Sequence, residues 1–209
     1  MFRPLPTTFN SIYQRILVRA VLQDSPFQLF VVHPTLSLAE VDTDRSRVAV
    51  DVHSANFNRS ILDQINDEYD LLLLDWGLET PDARGILDAF QQNTPDTQVL
   101  VLSEDVPEDD PVNRGADELL AAPYSDETLQ LTVERLLLQG AYEEAMDEFF
   151  RLSTERALLE SELQAGVDTA DRYQSVICNH YESRKRAAAI RDELSSDEFD
   201  QSLRQLLDE

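Results

Sequence analysis

The sequence predicts an α/β fold: a doubly wound, mostly parallel five-stranded sheet with an abbreviated first crossover, followed by an α-helical antiparallel hairpin. Three observations carry this expectation. The apolar run Leu71 to Leu74 is unbroken and stops abruptly at Asp75, as in a strand buried on both faces. Other short apolar runs alternate with segments of helical periodicity, the pattern of a parallel sheet flanked by helices. After Gly140 the apolar residues recur at spacings of three, four and seven through two long segments, the signature of amphipathic helices that pack side by side.

Taken in order, residues 1–24 form an N-terminal extension that carries Arg3, Arg15 and Arg19 and no acid before Asp24. Phe9, Ile12, Tyr13, Ile16, Leu17, Ala20 and Val21 follow helical spacing there, so the segment could dock as a helix. Residues 25–139 read as the α/β domain. Phe27 to Val32 is the first strand, closed by His33-Pro34, and Arg47 to Val52 the second. Between them there is room for a turn of helix at Leu36 to Val41 but not for a full crossover helix. Asn56 to Asn66 is expected to be helical, with Phe57, Ile61, Leu62 and Ile65 on one face. A helix over Asp82 to Gln92 then places Ile86, Leu87 and Phe90 inward. Val99 to Leu102 is a short buried strand ending at Ser103, followed by Glu104 to Asp110 with five acids in seven residues. The stretch from Gly115 to Pro123 holds the last strand, and Ser125 or Asp126 can cap a helix from Glu127 to Leu138.

Gly140 punctuates the chain, and residues 140–195 read as the hairpin. Tyr142, Ala145, Phe149, Leu152, Leu159 and Leu163 form a seam interrupted by Arg156. A turn around Gly166 to Thr169 leads to a second helix bearing Tyr173, Ile177, Tyr181, Ala188 and Leu194, with Asp168 or Thr169 as its cap. Residues 196–209, with Phe199, Leu203, Leu206 and Leu207, read as a short final helix or tail.

Composition narrows the function classes. The net charge is −24 and Lys185 is the only lysine, a balance suited to concentrated salt, where self-repulsion is screened. A 42% hydrophobic content with clear periodicity argues against an acidic disordered protein. Direct DNA binding is disfavoured by the negative surface; the one basic cluster, Arg184-Lys185-Arg186, reads more simply as part of a mixed-charge helix face. Cys178 is the single cysteine, so no internal disulfide forms and a cytoplasmic location is expected. Beside Ile177 and Tyr181 it reads as a small buried apolar residue. No apolar run approaches the ~18 residues of a membrane span, and no membrane role is expected. His33, His53 and His180 are scattered without ligand spacing. No nucleophile-base pair or Gly-rich phosphate loop stands out.

Asp75 occupies the place where ligand chemistry collects in open parallel sheets, the carboxyl end of a strand; a turn-capping aspartate is the simpler reading of the same position. Together, the strand ending in Asp75-Trp76, the strand ending in Ser103, and Gly115-Ala116-Asp117 leading to Pro123 resemble, in order and spacing, the flavodoxin-like receiver domain of two-component response regulators. The segment with Tyr142, Phe149 and the run Ser153-Thr154-Glu155-Arg156-Ala157-Leu158-Leu159-Glu160 resembles the HalX domain that haloarchaeal receivers carry. The resemblance covers residues 27 to about 195. It implies Asp75 as the phosphoacceptor-like residue and Ser103 as the switch hydroxyl. It also implies a degenerate site: His33 and Pro34 stand where an acid pair would hold Mg²⁺, Ala122 replaces the lysine before Pro123, and Leu119 takes the aromatic position. Pro81 and Gly85 fall later than in the family, as though two residues were inserted after Asp75.

The resulting expectation is a pseudo-receiver without catalysis, metal or cofactor of its own. It would act as a signalling adaptor through protein partners, or a homodimer formed through the hairpin, in a two-component-type pathway that influences transcription. The alternative is a phosphorylation-dependent regulator of transcription with Asp75 live and Mg²⁺ held unconventionally. Glu104 or Asp105 could then supply a ligand, although solvated surface is the simpler reading of that acidic loop.

Overall fold

A computed structural model describes residues 26–34, 48–56, 60–79 and 82–194. The expected N-terminal helix, the helical turn at Leu36 to Val41, Pro81 and the final helix all lie outside these residues. Two compact units meet in sequence between Gly140 and Ala141.

The first unit holds five strands: β1 (Phe27–Val32), β2 (Val50–Ser54), β3 (Leu71–Asp75), β4 (Gln98–Ser103) and β5 (Glu118–Ala121). Every pairing is parallel and the order is β2-β1-β3-β4-β5, which is the flavodoxin-like doubly wound arrangement. Alternation along the strands divides the core. Phe30, Val32, Leu72, Leu74, Val99 and Val101 share one buried cluster with Ile86, Leu87 and Phe90 of helix α1 (Ala83–Asn93). Leu29, Val31, Leu71, Leu73, Leu100 and Leu102 are equally buried and point to the other face. On that face Gln98 lies against Gly140, and Glu118 pairs with Arg135 of helix α2 (Asp126–Gln164). The central strands are therefore apolar on both sides, which is why Leu71 to Leu74 is continuous. Strand β2 lies at the edge, is largely exposed, and runs two to three residues later than its expected span.

Two aspartates tie strands together at their amino ends. Gln28 donates its amide to Asp70 Oδ2 at 2.7 Å, and Val99 donates to Asp117 Oδ2 at 2.7 Å.

The helix expected over Asn56 to Asn66 does not form in the described part of that segment, which holds only a 3₁₀ turn at Leu62–Gln64. Gln64 gives the physical reason. Its side chain accepts from the Asn56 amide at 2.9 Å and donates to the Asn56 and Ser60 carbonyls, both at 3.1 Å. Backbone groups that a helix would satisfy along its own axis are bonded laterally instead. The β4 to β5 connection likewise contains a 3₁₀ turn, Val112–Arg114, which Gly115 closes at φ 97° with Gln91 Nε2 donating to the Arg114 carbonyl at 2.6 Å.

Helix α2 corrects a second expectation, because it runs straight through Gly140 to Gln164. A Cβ at Gly140 would sit 3.0 Å from Gln98 Cγ. That glycine serves a close approach of helix to strand, not a break, and accepts the helix-propensity cost of about 1 kcal/mol. Ser125 caps α2 as expected, its Oγ accepting from the Thr128 amide at 3.1 Å.

The second unit pairs the C-terminal part of α2 with helix α3 (Ala170–Glu193). At the end of α2 the Gly166 amide donates to Leu163 and the Val167 amide to Glu162, with Gly166 at φ 82°, a Schellman closure. Partners then climb α3 as they descend α2. Tyr173 donates to Glu160, His180 meets Ser153, Ser183 donates to the Ala145 carbonyl and Arg186 to Glu144. This sequence of contacts defines an antiparallel hairpin. Ala145, Leu152 and Leu159 are buried along α2 as expected. The α3 stripe holds at its ends, where Tyr173 packs on the cluster and Leu194 is buried, and is rotated between them: Val176, Ser183, Ala187 and Ile190 are buried and Tyr181 is exposed. Two small polar or tiny residues, Ser183 and Ala187, permit close helix approach and carry too little apolar signal to outvote the aromatic residues. Cys178 falls on the exposed side, not in the core. Thr169 takes the N-cap place without a side-chain hydrogen bond.

Candidate functional site

The parallel register brings four sequence-selected positions to the carboxyl edge of the sheet. Val32 pairs with Leu74, so His33 follows beside Asp75; Ser103 pairs with Ala121, so Ala122 follows beside Ser103. His33 Nε2 lies 3.7 Å from Asp75 Oδ2, with both side chains mostly but not wholly buried. Asp75 Oδ1 accepts the Gly77 amide at 2.8 Å, so the turn-capping role and the strand-end position coincide in one residue. A Cβ at Gly77 would stand 3.2 Å from that oxygen, which favours glycine there. The Trp76 amide donates to the Leu102 carbonyl and the Ala122 amide to the Ser103 carbonyl, both at 2.8 Å. The Ala122-Pro123 peptide is cis and Pro34 is exposed. Leu119 packs against the α1-side core, one layer below the edge.

These residues test whether the group implied by the receiver resemblance fits. Mg²⁺ takes a near-octahedral shell of oxygen ligands. Among the described residues the groups gathered at Asp75 are one carboxylate, with one oxygen engaged by the Gly77 amide, and one imidazole. Among the described residues no three His, Cys, Asp or Glu side chains converge to hold a metal, and Glu104 and Asp105 are exposed. The position after β5 offers a methyl group where an ammonium would be needed. One carboxylate and one imidazole, the donors that the described residues bring there, do not fit the oxygen shell of Mg²⁺.

Sequence reading missed a charged network next to this edge. The Arg84 guanidinium lies over the Trp76 ring, 5.1 Å from its centroid, in cation–π range. Arg84 Nε and Arg114 Nε both donate to Asp109 Oδ2, at 3.2 and 2.7 Å. The Arg114 hydrogen bond, reinforced by Arg84, holds the Asp109 carboxyl below its usual value. The available signal was the scarcity of cations: two of the few arginines flank the acidic loop in sequence. The basic cluster is also engaged, with Lys185 3.8 Å from Glu182 and Arg186 2.8 Å from Glu144, as a mixed-charge face requires.

Strand order and edge geometry define a receiver-like α/β unit followed by a helical hairpin. Residues 138–203 match the HalX domain, so the chain carries a HalX domain behind a receiver-like fold. A putative transcriptional regulator of Haloferax volcanii is 26% identical over 159 residues, which is 73% of this chain and 27% of that protein. The chain thus spans about a quarter of that relative. Among solved structures, NtrX from Brucella abortus in complex with ADP superposes with a TM-score of 0.50 at 22% identity, over 59% of this chain and 30% of that one. The signal receiver domain of a putative LuxO repressor protein from Vibrio parahaemolyticus gives 0.49 at 23% identity, over 57% of this chain and 96% of that one. Among the described residues no helix is long and apolar enough to cross a membrane.

Proposed function

We propose that the chain is a non-catalytic pseudo-receiver: a cytoplasmic signalling adaptor that works by protein–protein interaction in a two-component-type pathway and influences transcription. The observation that carries this reading is the imidazole of His33 set against Asp75 in place of a second and third carboxylate. A nucleophilic carboxylate attacking a phosphoryl group needs cations to offset the anionic charge that builds in the transition state. Each ~1.4 kcal/mol of stabilisation forgone costs tenfold in rate, and among the described residues neither a set of oxygen ligands nor a lysine stands beside Asp75. The Haloferax relative supports the link to transcription. Engagement of Lys185 and Arg186 by glutamates supports protein partners over direct DNA contact.

The test is exposure of the full chain to acetyl phosphate and Mg²⁺ in molar KCl, followed by intact-mass spectrometry. An unmodified chain is expected. A phosphoryl adduct that disappears in Asp75→Asn would overturn the proposal in favour of a phosphorylation-dependent regulator.

A further inference from the structure

The HalX hairpin has a second, solvent-exposed face. On α2, Phe150, Thr154, Ala157, Leu158 and Ser161 succeed one another at steps of four, three, one and three. All five are exposed, Phe150 at 59% and Leu158 at 62%. They lie opposite the line of Ala145, Leu152 and Leu159 that packs on α3. None is charged, on a chain in which 28% of residues are, and neutral strips on such a surface mark contact sites.

The strip is complementary to itself when two copies run antiparallel. Its large residue, Phe150, stands at one end, and small residues, Ser161 and the exposed Ala165, stand at the other. A two-fold axis between residues 156 and 157 would set each Phe150 ring between Ser161 and Ala165 of the other copy, with Ala157 and Leu158 meeting around the axis. The same axis would place Arg151 opposite Glu162 at both ends of one edge. Arg151 is 64% exposed and its ion pairs within the helix, with Glu148 and Glu155, are long at 3.8 and 3.7 Å, so it is available for a second acid. Self-pairing of this kind closes on two copies, with the apolar strip supplying affinity and the Arg–Glu edge fixing register.

We infer that the HalX hairpin is a homodimerisation element, and that the occupant of this outer α2 face is the same face of a second copy. The inference goes beyond the adaptor reading and holds whether or not Asp75 accepts phosphate. Sedimentation of the full chain in molar KCl through the micromolar range tests it. A dimer is expected, reduced to a single-chain mass by Phe150→Glu with far-UV circular dichroism unchanged. Arg151→Glu is expected to weaken association roughly five-fold, and Arg151→Glu combined with Glu162→Arg to restore it. Arg151→Glu also gives up the helix's own pairs with Glu148 and Glu155, so far-UV circular dichroism is required to be unchanged in the single and the combined variant. A monomeric wild type, a dimer indifferent to Phe150→Glu, or a charge swap that fails to restore association overturns the proposal. So does a chain that dimerises only after removal of residues 1–24, which would assign the face to that basic segment.

Discussion

The sheet buries Leu71, Leu72, Leu73 and Leu74 on both faces at once, whereas among the described residues of the hairpin α2 buries a line through Ala145, Leu152 and Leu159 and α3 one through Val176, Ala187 and Ile190, with Leu152, Leu159 and Val176 in one cluster. Polar ties make up the difference in the hairpin: Ser183 to the Ala145 carbonyl, Arg172 to Glu155 at 2.6 Å, and Tyr173 to Glu160. The comparison teaches where each unit is vulnerable. Apolar burial resists salt and pH; surface ion pairs and hydrogen bonds contribute about 1 kcal/mol or less apiece and respond to both.

Cavity-forming substitutions should separate the units most. Phe90→Ala is expected to cost the α/β unit about 3–5 kcal/mol, because the ring is enclosed by strands that cannot collapse on the space left behind. Leu152→Ala should cost the hairpin nearer 2 kcal/mol, since two helices joined by one turn can close on a gap. Amide hydrogen exchange in molar KCl reads the two units independently; equal losses would refute the contrast. A smaller effect is expected of Ser183→Ala, about 1 kcal/mol confined to hairpin amides, and loss of protection in the sheet instead would contradict the separation.

Titration offers the finest distinction. Asp109 has its carboxyl below the ordinary 3.8, chiefly through the Arg114 hydrogen bond. Its stabilising contribution is therefore complete above the unfolded value and is lost as pH falls through the lower folded value. Tyr173 is raised above 10.0, chiefly by its hydrogen bond to Glu160, so its contribution is complete below the unfolded value and is lost as pH rises through the folded one. Tyr69 is also raised, by burial first, so alkali should loosen both units. Acid should bear on the loop from Glu104 to Arg114. Asp109→Asn is expected to flatten the acid limb of melting curves, and Tyr173→Phe to remove the hairpin's share of the alkaline one; an unchanged profile in either variant would remove that residue from the account.

What could be read in advance follows from how many neighbours vote for each feature. Strands β1, β3 and β4 were legible because both faces are apolar, leaving no register in which Leu72 or Val101 could be satisfied elsewhere. Asp75 and Ser103 were legible as strand ends for the same reason. The segment from Asn56 to Asn66 was not, because one glutamine, Gln64, redirects the backbone bonds, and periodicity does not register a single side chain. Gly140 misled because a glycine that ends a helix and one that admits Gln98 look alike in sequence. On α3, Ser183 and Ala187 face inward by virtue of their size, while Tyr181, with greater hydrophobic weight, faces out. His33 was placed at this edge by the receiver resemblance alone, and its approach to Asp75 emerged from the strand register; of the Arg84–Asp109–Arg114 network the sequence showed only two scarce arginines on either side of an acidic loop.

The exposed side of α3 has a practical use. Cys178 and Lys185 are the only thiol and the only side-chain amine in the chain, both reachable from solvent, and seven residues apart on one helix, or about 10 Å along its axis. A maleimide probe and an amine-directed side-chain probe can therefore be placed on the native protein without mutagenesis, making the helix its own calibrated ruler for watching the hairpin meet whatever it binds.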